Sequence, residues 1–133
     1  MKNPIDPAAS AISAVACFSE GLSQLQDAVD DPQMRSVITG ATDLIFAMKG
    51  RLIISGVGKS GHVARKLAAT FASTGTPAYF VHAAEASHGD LGMIQNDDVV
   101  MLLSWSGETG ELADIIAYAA RFDVPIVAIT GKA

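Results

Sequence analysis

Lys59 stands inside Ser55-Gly56-Val57-Gly58-Lys59-Ser60-Gly61, a glycine-rich run between an apolar segment, Arg51-Leu52-Ile53-Ile54, and a helical pattern. A strand that passes through such a turn into a helix is a common way to hold an anion. Glycines let the backbone come close to the ligand, and the free N–H groups at the helix start face it. Lys59 adds a positive charge at the same place. A second loop, Ser104-Trp105-Ser106-Gly107-Glu108-Thr109-Gly110, follows a later apolar run. Ser104, Ser106 and Thr109 offer hydroxyls, and a helix read from Glu108 adds backbone N–H groups, a set that suits a phosphate monoester. The two loops are read as one phosphate-binding site. The first supplies Ser55, Gly56, Gly58, Lys59 and Ser60, and the second Ser104, Ser106, Gly107 and Thr109. Glu111, placed by this reading in the first turn of the second loop's helix, faces the same crevice as a candidate acid or base. The competing explanations are plain ones: a solvated surface lysine at 59, and at 111 an acid favoured by the helix dipole.

The elements that must position these groups are legible from hydrophobic spacing. Asp6-Pro7 and Asp31-Pro32 are helix-start signals, an N-cap followed by proline at the first helical position. Ile12, Val15, Cys17, Phe18, Leu22, Leu25 and Val29 recur at helical spacing, as do Met34, Val37, Ile38, Ala41, Leu44, Ile45 and Met48, with Gly50 as a stop. Two N-terminal helices are therefore predicted. Their apolar faces are read as packing surfaces, open also to a second subunit, and Cys17 is read as core. From residue 51 the pattern alternates: strand 51–55, helix 60–73, strand 77–82, a turn-rich stretch 82–96, strand 99–103, helix 108–121, strand 125–130. Continuous apolar strands alternating with helices predict an α/β fold, a three-layer open parallel sheet. In order 2-1-3-4, strands one and three are neighbours whose helices leave on opposite faces, so the loops after them flank one crevice at the carboxyl ends of the strands. Ile126, Val127 and Ile129 would lie on an uncovered edge, a liability, and the expectation is a truncated form of a longer domain with its fifth strand missing.

Composition narrows the partners. At 133 residues the chain is read as one domain at most. No apolar run approaches ~18 residues and the N-terminus lacks a signal-peptide pattern, so neither a membrane span nor export is expected. Cys17 is the only cysteine, which fits a cytoplasmic protein. A net charge of −5 with scattered Lys and Arg argues against nucleic acid as the main partner.

Two familiar motifs compete for the first loop. Gly58-Lys59-Ser60 resembles the end of a Walker A loop, but that motif needs a glycine at position 53, where Ile stands. Gly56-x-Gly58-x-x-Gly61 matches a dinucleotide fingerprint. That reading wants an acid at the end of strand two, where Tyr79, Phe80, Val81 and His82 stand, and it has no use for Lys59 or a second phosphate loop.

Four segments carry a resemblance: Gly56-Val57-Gly58-Lys59-Ser60-Gly61, Ala72-Ser73-Thr74-Gly75-Thr76-Pro77-Ala78, His88-Gly89-Asp90-Leu91-Gly92-Met93-Ile94, and Ser104-Trp105-Ser106-Gly107-Glu108-Thr109-x-Glu111. Together they resemble the sugar isomerase (SIS) domain, and within it the arabinose 5-phosphate isomerases, over about 51–130. The serine loop indicates the wider group; the His88-Gly-Asp-Leu-Gly segment is the specific part. The resemblance implies reversible conversion of D-arabinose 5-phosphate and D-ribulose 5-phosphate, feeding synthesis of the Kdo sugar of lipopolysaccharide. It implies a five-stranded sheet of order 2-1-3-4-5 in homodimers or homotetramers, often followed by CBS domains, of which this sequence shows none. It also implies a further Glu and His beyond residue 133, which leaves activity of these 133 residues alone open.

Aldose–ketose isomerisation moves a proton between adjacent carbons through an enediol and needs no redox cofactor. It needs a base near the carbon, help for the oxygens, and a phosphate anchor. Glu111 matches a family catalytic Glu. Lys59 is assigned to the phosphate or the enediolate, and His88 to a position near the active site, of its own or a neighbouring subunit. His82, Glu85, His88 and Asp90 fit no strong ligand spacing, so no metal is assigned. Trp105 either lines the sugar pocket or packs in the core, and His62 is read as an ordinary first-turn residue. The alternative function is a non-catalytic sugar-phosphate-binding regulatory domain; a dinucleotide-binding domain ranks third.

Overall fold

The computed structural model describes residues 6–131, and the chain divides into two compact units at Gly40/Ala41. The first unit is helical. Helix α1 spans Pro7–Asp30 and begins as its sequence requires: the Asp6 carboxylate accepts the backbone N–H groups of Ala8 and Ala9, and Pro7 follows the cap. Asp31 does the same for α2 (Pro32–Ala47), accepting from Gln33 at 2.9 Å and Met34 at 3.1 Å. The apolar stripe of α1 is not core. Ile12, Val15, Phe18, Leu22 and Leu25 are all exposed, as is Cys17, which corrects the expectation that this cysteine is packed.

The second unit is an α/β sandwich. Strands β1 (Leu52–Gly56), β2 (Ala78–Phe80), β3 (Val99–Ser104) and β4 (Ile126–Thr130) form a parallel sheet of order β2-β1-β3-β4. The parallel sheet is the one expected from the alternating pattern, and its order agrees with the one the resemblance implies. Side chains alternate across the sheet and fill two cores. On one face Leu52, Ile54, Val99, Met101 and Leu103 meet Ala64 and Ala68 of α3 (Gly58–Ser73), with Ile45 and Met48 packed against them. On the other, Ile53, Val100 and Leu102 meet Ile115 and Ala119 of α5 (Ala113–Arg121) together with Ala83 and Ala86 of the short α4 (Ala83–Ala86). Burying a side chain such as Ile53 completely is worth roughly 1.5–3 kcal/mol relative to leaving it in water. The helices leaving β1 and β3 thus lie on opposite faces. Strand β4 closes the order on one side, with Ala128, Ile129 and Thr130 exposed.

Details depart from the periodicity. The turn-rich stretch contains α4, capped by His82 Nδ1 accepting from the Ala84 N–H at 3.2 Å, and a 3-10 turn at Asp90–Met93. Helix α5 starts at Ala113, not at Glu108, with a 3-10 turn at Gly110–Leu112 before it. At the amino ends of the strands, the fully buried Asp98 accepts the Arg51 N–H at 2.7 Å and the Gln95 N–H at 2.9 Å. Hydrogen bonding to Asp98, opposed by some desolvation, holds the Arg51 guanidinium above its already high ordinary value. No helix among the described residues is long and apolar enough to cross a membrane.

Candidate functional site

The carboxyl ends of β1, β3 and β4 frame a cleft of about 620 Å³. Lys59 and Ser60 enter from the first turn of α3, Ser104 and Trp105 from the end of β3, and Ile129, Thr130 and Gly131 from the end of β4, with Val63 and Leu103 completing the lining. Parallel register brings them together: Gly56 pairs with Leu103 and Ser104 with Thr130, so the chain leaves the sheet at one level on all three strands.

The start of α3 is shaped for a close approach. Gly61 sits so near the end of β1 that a Cβ on it would stand 2.7 Å from the Gly56 carbonyl oxygen. Val57 occupies the N-cap and contributes no side-chain cap, so the first-turn N–H groups stay free to face an anion next to the exposed Lys59. Gly61→Ala is expected to force α3 away from β1 and to cost roughly 1–3 kcal/mol, the usual range for overpacking. Urea unfolding checks this, and an unchanged midpoint would refute the tight seat.

The serine loop is organised by its own hydroxyls. Ser104 Oγ lies 2.7 Å from Thr109 Oγ1 and accepts the Gly107 N–H at 3.1 Å, while Ser106 Oγ accepts the Glu108 N–H at 3.1 Å. Of the N–H groups that a helix starting at Glu108 was expected to offer, that of Glu108 is thus taken up within the loop. Among the predicted phosphate ligands, the structure brings Lys59, Ser60 and Ser104 to the cleft wall. Ser106 and Thr109 stand behind Ser104 in its loop. Gly58 opens α3, and Gly107 turns the loop with φ +75° beside Thr130. Ser55 and Gly56 are fully buried in β1. Alternation puts Ser55 on the Ile53 face, away from the cleft wall, and its Oγ has no hydrogen-bond partner among the described residues.

Glu111 and His88 do not line the cleft. Glu111 sits in the Gly110–Leu112 turn, exposed, and not in the first turn of an α-helix. His88 follows α4, also exposed, with its backbone N–H on the Glu85 carbonyl at 2.9 Å. Helix α4 packs against the Glu111 turn and against α5, and Ser87 donates to Asp114 at 2.6 Å across that contact. His88 and Glu111 therefore belong to one neighbourhood on the α5 side, next to the serine loop. His82, Glu85, His88 and Asp90 form no metal-holding cluster among the described residues. His62 is exposed in the first turn of α3. Ile129, Thr130 and Gly131 were missed by motif reasoning. The signal was available in the strand order, because β4 must deliver its carboxyl end beside Ser104.

Comparison with known proteins places this site in a family. Residues 45–133 match the SIS domain model. The chain is 49% identical over 102 residues to the arabinose 5-phosphate isomerase KdsD of Shigella flexneri, covering 77% of this chain and 31% of that protein. It is 50% identical over 109 residues to the arabinose 5-phosphate isomerase KdsD of Pseudomonas aeruginosa, covering 80% and 33%. A solved structure from E. coli CFT073 in complex with arabinose 5-phosphate superposes with a TM-score of 0.79 at 39% identity, covering 95% of this chain and 66% of that one. The chain spans about a third of the length of the curated relatives it matches. With the parallel sheet, the paired loops and the family match in agreement, the chain belongs to the SIS domain family.

Proposed function

We propose that this chain is the SIS domain of a sugar-phosphate aldose–ketose isomerase that interconverts D-arabinose 5-phosphate and D-ribulose 5-phosphate. The observation that carries the reading is the cleft in which Lys59 and Ser60 of one loop meet Ser104 of the other at the carboxyl ends of adjacent strands. A phosphate monoester bound there accepts hydrogen bonds from hydroxyls and free N–H groups while Lys59 offsets its charge. Identity near one half to arabinose 5-phosphate isomerases supports the choice of substrate. On this reading the aldose product feeds Kdo synthesis, in the cytoplasm.

With the phosphate fixed, the reaction is a proton relocation. A base removes the proton on C2 of the aldose, the electron pair moves into a C1–C2 double bond, and the carbonyl oxygen is protonated to give the enediol. Reprotonation at C1, with loss of the proton from the C2 hydroxyl, gives the ketose. Glu111 is assigned as acid/base, Lys59 as phosphate ligand and stabiliser of enediolate charge, and His88 as a further proton-transfer group at the edge of the site. The exposed apolar stripe on α1 supports a homodimer or homotetramer.

A thermal-shift titration tests the reading. Arabinose 5-phosphate and ribulose 5-phosphate are each expected to stabilise the ligand-free chain by about 2.7 kcal/mol at a hundredfold excess over Kd, and inorganic phosphate at the same concentration by less. Stabilisation by NAD alone, or by none of the four in a folded sample, overturns it.

A further inference from the structure

Trp105 is the chain's single tryptophan and is 77% exposed. It is not the packed core residue that was one expectation for it. An indole is usually buried over most of its surface, because leaving it in water forfeits a large apolar gain. Its place is nonetheless held. The Gly131 N–H donates to the Trp105 carbonyl at 3.1 Å. The six-membered half of the indole lies so close to Gly131 that a Cβ there would stand 2.7 Å from Cε3 and 2.8 Å from Cδ2. Only glycine at 131 leaves room for this position.

The ring thus lies beside the end of β4. With Val63, Leu103 and Ile129 it makes the apolar lining of the cleft whose polar residues include Lys59, Ser60 and Ser104. The indole N–H can donate a single hydrogen bond to a phosphate oxygen, but the broad apolar face of the ring serves neither phosphate binding nor proton transfer. The carbon skeleton of a sugar has a use for it. Its C–H groups carry small positive charge and are drawn to the negative face of an aromatic ring, while its hydroxyls stay free for polar partners.

We propose that Trp105 is a specificity-determining residue whose indole packs against the carbon chain of the bound sugar phosphate and so distinguishes it from inorganic phosphate. This deepens the sugar-phosphate reading and rests on it.

The test uses Trp105 as its own reporter. Arabinose 5-phosphate is expected to shift the emission of the wild-type chain, with inorganic phosphate giving a smaller change. By thermal-shift titration, Trp105→Ala is expected to weaken arabinose 5-phosphate about fivefold, the size of one aromatic contact, and inorganic phosphate by less than about twofold. Trp105→Phe should recover most of the loss, and Ser104→Ala should weaken both ligands. Unchanged affinity for arabinose 5-phosphate in Trp105→Ala, with Ser104→Ala weakening both ligands, would overturn the role of Trp105 and leave the sugar-phosphate reading standing. A wild-type chain that binds neither ligand would overturn both. Should Trp105→Ala fail to fold, Gly131→Ala displaces the ring through its 2.7 Å contact and carries the same expectation: loss for the sugar phosphate, none for phosphate.

Discussion

In a full-length form of the enzyme, Glu111→Gln is expected to lower turnover of arabinose 5-phosphate by about 10²–10⁴-fold, the range that one positioned acid or base supplies. Glutamine keeps the size and shape of the side chain and removes only its capacity to carry a proton. Binding should therefore stay within a few-fold, as read by thermal shift, while formation of ribulose 5-phosphate collapses. The plain alternative is an acid that suits the dipole of the helix it precedes, since the Gly110–Leu112 turn runs directly into α5, and turnover distinguishes the two. Helix α5 begins at Ala113, and its first-turn acid is Asp114, which accepts a hydrogen bond from Ser87. Glu111 lies before that helix in a 3-10 turn, exposed and without a hydrogen-bond or ion-pair partner among the described residues. Turnover of the Gln variant at the wild-type rate would strip Glu111 of its assigned role.

Asp98→Ala is expected to destabilise the chain by roughly 3 kcal/mol, at the lower end of the cost of breaking a buried charged network. The ionic link to Arg51 is not the main reason. Its N···O separation is 3.5 Å and the Arg51 side chain is a third exposed, so solvent screens it. The weight lies in the two backbone N–H groups, of Arg51 and Gln95, that the carboxylate accepts at 2.7 and 2.9 Å. These bonds tie the start of β1 to the segment entering β3. Removing the buried acceptor deprives two part-buried donors of their partner and leaves a gap where the carboxylate stood. Asp98→Asn retains one acceptor oxygen and turns an NH₂ group toward a donor, so it should fall between wild type and Ala. Urea unfolding monitored by circular dichroism gives the ranking, and an Ala variant as stable as wild type would show that the clasp is unimportant.

The alternation of apolar strands with helices pointed to the sheet and its parallel sense, and the family resemblance supplied its order. Short apolar runs flanked by turn residues favour strands, helical spacing marks the segments between them, and crossover connections leave few topologies. The Asp-Pro starts of α1 and α2 were legible for the same local reason: a carboxylate three residues from free N–H groups needs no tertiary help. Lys59, Ser60 and Ser104 could be grouped because the ends of adjacent parallel strands lie together.

What the tertiary structure alone decided depends on competition among contacts distant in sequence or hidden from periodicity. The start of α5 lies at Ala113 rather than Glu108, after a loop held by the Ser104 and Ser106 hydroxyls and a 3-10 turn at Gly110–Leu112. Ser55 looked like a loop ligand, but strand register buried it on the far face. Cys17 and Trp105 carry residue types that favour burial, yet both are exposed. Hydrophobic type measures what a side chain gains from burial; only the assembled strands and helices determine whether a neighbour is there to bury it. For Trp105 the neighbour is Gly131, twenty-six positions on in the chain. It reaches the indole only because β4 pairs with β3 in the register that sets Thr130 beside Ser104.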